Sequence, residues 1–107
     1  MEVFEAVAQP KRREILRLLA AGEMSAGDVA SRFSVTQPAI SQHLRVLKQA
    51  GLIAERRDGA RRLYRVRPEG LAGLHSFLTA LSSAALERLK QAAEEEERVG
   101  ARDASRN

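Results

Sequence analysis

At 107 residues the chain has room for one modest core and none for a separate catalytic domain. It contains no cysteine, which excludes a disulfide framework, a thiolate nucleophile and a sulfur-ligated metal. The formal charge of +4 rises to about +6 over residues 1–93, because Glu94 to Glu97 and Asp103 outweigh Arg98, Arg102 and Arg106, so the part expected to fold favours polyanionic partners.

The opening MEVFEAVAQPKRR carries acids and no long apolar run, so neither a secretory signal nor a membrane span is expected and the default location is the cytoplasm. Val3, Phe4 and Val7 recur at helical spacing, and Pro10 marks the boundary to a second helix. Ile15, Leu16, Leu18 and Leu19 give that helix its apolar stripe, and Gly22 ends it. Ser25 and Asp28 have the spacing of a capping box, with Asp in place of Glu, and introduce a short third helix that buries Val29, Ala30 and Phe33.

The run FSVT at 33–36 interrupts the helical pattern. Thr36 is placed to cap a fourth helix, with Pro38 tolerated in its first turn because amides there have no intrahelical acceptor. Helix, tight turn and helix have the proportions of a DNA-reading unit. In the fourth helix Ile40, Leu44 and Leu47 fall at i, i+4 and i+7 and face inward. That leaves Gln37, Ser41, Gln42, Arg45 and Lys48 on or near the opposite face, with His43 between the two, and Gly51 closes the helix.

LIAERRDGARRLYRV then predicts a two-stranded hairpin with Asp58-Gly59 at its turn and Arg56, Arg57, Arg61 and Arg62 crowding its tip. A hairpin of this kind is marginal alone and must lean on the helices as a wing. Pro68 opens a last helix with a stripe of Leu71, Leu74, Leu78, Leu81, Ala85 and Leu89. A small domain has little reason to expose that stripe, so pairing with the first helix and with the same two elements of a second copy is expected. Residues 1–96 should form the DNA-binding and dimerisation domain, and 97–107, with no apolar stripe, a disordered tail.

The chemistry the sequence offers is polyanion recognition. Gln37, Ser41, Gln42, His43 and Arg45 are candidates for base contacts, with Thr36 and Pro38 at the helix start. Arg12, Arg13, Lys48, Arg57, Arg61 and Arg62 are candidates for phosphate contacts. No metal site or cofactor is expected: His75 stands alone on the last helix, and the glycines lack phosphate-loop spacing. Ser82 and Ser83 have no histidine and acid beside them, so no enzyme is expected either.

TQPAISQHLRVLKQAGLI followed by the arginine-rich DG hairpin, set within residues 4 to 67, resembles the ArsR/SmtB family of winged helix-turn-helix repressors. The resemblance implies a mainly α (α+β) fold and a symmetric homodimer whose fourth helices enter successive major grooves of double-stranded DNA. The target would be an inverted-repeat operator near the protein's own promoter or operon, with an unidentified effector or protein partner weakening binding. It also implies a dimer interface on the first and last helices, here Val3, Phe4, Val7, Leu74, Leu78 and Leu81. The family's thiolate metal site resembles a cysteine cluster where this chain has Glu23 to Asp28, and its other site uses paired histidines where only His75 stands, so the resemblance is to the metal-independent members. An activator, an architectural DNA-binding protein and a winged-helix protein-interaction module are the competing readings.

Overall fold

The structure is a computed structural model describing residues 2–105, with side chains described through residue 100. Its elements are α1 (Val3–Ala8), α2 (Pro10–Ala21), β1 (Met24–Ser25), α3 (Ala26–Ala30), α4 (Gln37–Gln49), β2 (Ile53–Asp58), β3 (Arg61–Val66) and α5 (Pro68–Ser105). The backbone divides into two compact units, one ending at Leu74 and the other starting at His75.

In the first unit the helix boundaries follow from local chemistry. The Gln9 side chain accepts from the Arg12 amide at 3.0 Å while Pro10 occupies the first turn of α2. Ser25 Oγ accepts from the Asp28 amide at 3.1 Å, which starts α3. The end of α4 is a Schellman motif: the Leu52 amide bonds the Leu47 carbonyl and the Gly51 amide bonds that of Lys48, each at 3.0 Å. This requires a left-handed residue at Gly51, whose φ is 78°.

The core joins Ala6, Ile15, Leu19, Val29, Ile40, Leu44, Leu47, Leu52 and Ile53, one or more from each of α1 to α4 and the wing. Three of these are the inward stripe expected for α4, all at most 1% exposed. The opening of α5 belongs to the same packing. Leu71 lies against the core, and a side chain at Gly70 would collide with the Gly51 carbonyl, so Gly70 serves close approach of backbones rather than a turn.

The sheet differs from the expected two-stranded hairpin. Its order is β1-β3-β2, all antiparallel, with Met24 opposite Tyr64 and Ser25 opposite Leu63. The extra strand ties the segment before α3 to the wing, an anchor that a free ribbon would lack. The wing loop is Gly59 and Ala60, since Asp58 still pairs with Arg61; Gly59 has φ 64° and Ala60 does not enter the left-handed region.

The second unit is helical. Where a disordered tail is expected from residue 97, the backbone continues as helix through Ser105; Arg106 and Asn107 lie outside the described residues. The segment is rich in Glu, Arg and Ala, which favour helix without any burial, and Glu95 pairs with Arg98 one turn on at 2.9 Å. Phe77, Leu78, Leu81, Leu86 and Leu89 are all at least half exposed within the single chain. No helix among the described residues is long and apolar enough to cross a membrane.

Candidate nucleic-acid interface

Burial of Ile40, Leu44 and Leu47 fixes the rotation of α4 and turns its other side outward. Thr36 Oγ1 accepts from the Ala39 amide at 3.3 Å, which satisfies one of the amides without an intrahelical acceptor at the helix start, where Pro38 has no N–H to satisfy. Thr36, Gln37, Pro38, Gln42, Arg45 and Lys48 are exposed and Ser41 is half-buried. Arg45 reaches Gln42 Oε1 only at 3.5 Å, so both side chains are close to unconstrained.

His43 is half-buried and sits differently. Burial holds its pKa below the ordinary imidazole value, and the positive charges of Arg12 and Lys11 push the same way. The groups acting on it belong to the start of α2.

Two polar grooves run between α4 and the wing, of about 400 and 260 Å³, and Ser41, Arg62 and Tyr64 line both. Gln37 and Arg61 border the first, Arg45 and Lys48 the second. The wing therefore stands directly beside the outward face of α4, as the pattern of outward amides and wing arginines predicts.

The sequence did not reveal how thoroughly the wing cations are partnered. Arg61 meets Asp28 of α3 at 2.7 Å. Arg56 forms a two-pronged pair with Glu23, at 2.7 and 2.6 Å, and that pair holds Glu23 below the usual carboxylate range. Glu55 lies between Lys48 of α4, at 3.4 Å, and Arg62 of the wing, at 3.9 Å. Burial raises the Glu55 pKa, but the Lys48 hydrogen bond and charge, the Tyr64 hydroxyl and the Arg62 charge outweigh it and leave the net shift downward. Tyr64, opposite Glu55 across the strands, is raised by burial and then by the Glu55 charge. Of the four wing arginines crowding the hairpin tip, Arg57 alone has no ionic partner among the described residues.

Arg12 and Arg13 are occupied in another way. Arg12 donates to the carbonyls of Ala6 (2.7 Å) and Glu5 (3.1 Å), and Arg13 to those of Val7 (2.8 Å) and Ala8 (3.0 Å). Together they satisfy the last four carbonyls of α1, which a six-residue helix cannot bond internally.

Glu23, Asp28, Glu55 and Tyr64 are the residues of the candidate site that sequence reasoning missed. The cross-strand register of Glu55 with Tyr64 is a readable signal once the hairpin is drawn. The links from Arg56 and Arg61 back to residues 33 positions earlier are not local and carry none.

Residues 9–55, spanning α2 to the middle of β2, match the family model for bacterial regulatory proteins of the arsR family. The HTH-type transcriptional regulator Rv2034 of Mycobacterium tuberculosis is 42% identical over 83 residues, which are 78% of this chain and 78% of that protein. The chain belongs to the arsR family of bacterial regulatory proteins. The transcriptional repressor SdpR of Bacillus subtilis is 51% identical over 57 residues, 53% of this chain and 63% of the repressor's length. Among solved structures, a homodimeric winged helix-turn-helix DNA-binding domain from Mycobacterium bovis superposes with a TM-score of 0.63 at 33% identity, covering 76% of this chain and 75% of that one. As an arsR-family transcriptional regulator the protein has the expected winged helix-turn-helix fold, with α3 and α4 as its helix-turn-helix and β2–β3 as its wing.

Proposed function

We propose that the protein represses transcription by binding an inverted-repeat operator in double-stranded DNA as a homodimer. The observation that carries this reading is the outward face of α4, exposed beside a cationic wing. Gln37, Ser41, Gln42 and Arg45 address base edges in the major groove, and Thr36 and Pro38 meet the backbone at the helix start. His43, acted on from α2, contacts DNA at the margin of this set.

Arg57, Arg61, Arg62 and Lys48 grip phosphates. For Arg61, Arg62 and Lys48 this is an exchange, in which phosphate oxygens take the place of Asp28 and Glu55. The Arg61–Asp28 pair is exposed on both sides and yields readily to a stronger anion, and the Glu55 contacts are long, at 3.4 and 3.9 Å. Arg12 and Arg13, engaged on α1, contribute fixed positive charge.

The homodimer is supported by the exposed side chains of Phe4, Leu78 and Leu81 and by the homodimeric state of the M. bovis domain. Val3, Val7 and Leu74, each partly exposed, complete the interface. Repression follows when the occupied operator overlaps the promoter, and an effector that favours one of two dimer states would relieve it. A chain without cysteine has no thiolate metal site to serve as that sensor.

Selection from a random duplex pool with the purified protein tests the reading. It should enrich two half-sites about one helical turn apart, bound with an affinity that falls steeply with salt. Binding without enrichment would leave only a basic architectural protein, and absence of duplex binding would leave a protein-interaction module.

A further inference from the structure

Beside α2 and the turn after α3 lies a feature that the regulatory reading does not use. A groove of about 420 Å³ is lined by Leu18, Ala21 and Phe33, with Glu14, Arg17 and Arg32 at its edge. Its size falls within the range of small-molecule sites, and its surface is mostly apolar. From the juxtaposition of this apolar floor with two uncommitted guanidinium groups, we infer that the groove binds a small amphiphilic carboxylate, with the apolar body on Leu18 and Phe33 and the carboxylate on Arg17 and Arg32.

The charge around the groove selects that chemistry. Arg17 and Arg32 are exposed, and their guanidinium groups have no hydrogen-bond or ionic partner among the described residues. They stand apart from Arg56, Arg61 and Arg62, each of which has a carboxylate. The one acid at the groove, Glu14, is held by Lys11 at 3.4 Å. Lys11 also lies over the Phe33 ring, 4.6 Å from its centroid. The rim is therefore net positive around an apolar floor. A neutral apolar ligand would leave both guanidinium groups unused, and a cationic one would be repelled. Guanidinium forks match a carboxylate in geometry as well as charge.

The position also connects the site to DNA reading. Phe33 follows α3, its amide bonded to the Ala30 carbonyl at 3.1 Å, and stands three residues before the α4 cap Thr36. An occupant resting on its ring bears on the turn that sets α4.

The binding itself is tested without DNA, so its failure is separate from any failure of the operator reading. NMR titration of the full chain with sodium decanoate, kept below its micelle concentration, should give saturable shifts at Leu18, Ala21 and Phe33. The Arg17→Gln/Arg32→Gln double variant changes only exposed positions and should bind about tenfold more weakly. Decanol and decyltrimethylammonium should bind more weakly still. Equal binding by the double variant, or by decanol, would overturn the assignment. So would shifts at Leu18 and Phe33 that follow protein dilution and ignore decanoate, since the groove would then be covered by a second copy of the chain.

Discussion

The helices α4 and α5 carry the same leucine-rich periodicity and end in opposite circumstances. The stripe of α4, Ile40, Leu44 and Leu47, is closed off by its own chain at no more than 1% exposure. The corresponding side chains of α5 beyond His75, Leu78, Leu81 and Leu89, stand 50%, 56% and 67% exposed. Periodicity therefore says that a helix has an apolar side, but only topology says what covers it. On α4 the burial aims a polar face, whereas on α5 the apolar face stays open within the chain and is the surface proposed for the partner.

Substitutions on the two stripes should consequently fail in different ways. Leu44→Ala opens a cavity beneath the reading face and should cost about 2–5 kcal/mol in denaturant unfolding. That is a large share of the roughly 5–15 kcal/mol that small domains possess. A loss confined to DNA binding, with the unfolding midpoint unchanged, would break the contrast. Leu78→Glu should weaken dimerisation about a hundredfold, near 2.7 kcal/mol, by sedimentation equilibrium, while the helix content of the separated chains stays as it was. A variant as dimeric as the parent at low concentration would remove α5 from the interface.

The wing gives the next, smaller effect. Arg61→Ala with Arg62→Ala should lower the slope of log affinity against log salt by about 2, equally across DNA sequences. Unchanged slopes would mean that Asp28 and Glu55 keep these arginines in the complex.

The smallest effect is at His43. Its pKa is lowered in the folded state, so the unfolded chain takes up the proton more readily. The stability contributed by neutral His43 is complete above the ordinary value of 6.5 and is lost as pH falls through the lowered folded value. His43→Gln should flatten the stability profile between the lowered folded value and 6.5, measured by urea unfolding at a series of pH values, and an unaltered profile would place the ring in solvent.

Much of this architecture is legible in the chain because its punctuation is local. Pro10, Gly22, Thr36, Gly51 and Pro68 each act within one helical turn, and each bounds a helix where the sequence places it. The outward face of α4 was legible for the same reason, since three buried residues at helical spacing fix the rotation of the rest. What escaped was long-range or unaided by burial. The strand at Met24 and Ser25 exists only because Tyr64 and Leu63 lie opposite. The carboxylates that hold the wing act over large sequence separations. Helix beyond residue 97 rests on propensity alone, which the lack of an apolar stripe hid. The bonds of Arg12 and Arg13 to α1 also escaped, because a run of cations does not reveal that four carbonyls lie beside it.

In the proposed complex α4 reads sequence while the wing supplies grip, and a single pair of binding curves separates those tasks most directly. Gln42→Ala should change the order of preference among selected duplexes at one base pair per half-site, by about 1–3 kcal/mol, and leave the salt dependence as it was. A uniform loss on every duplex, specific or not, would show that this face of α4 carries no sequence choice.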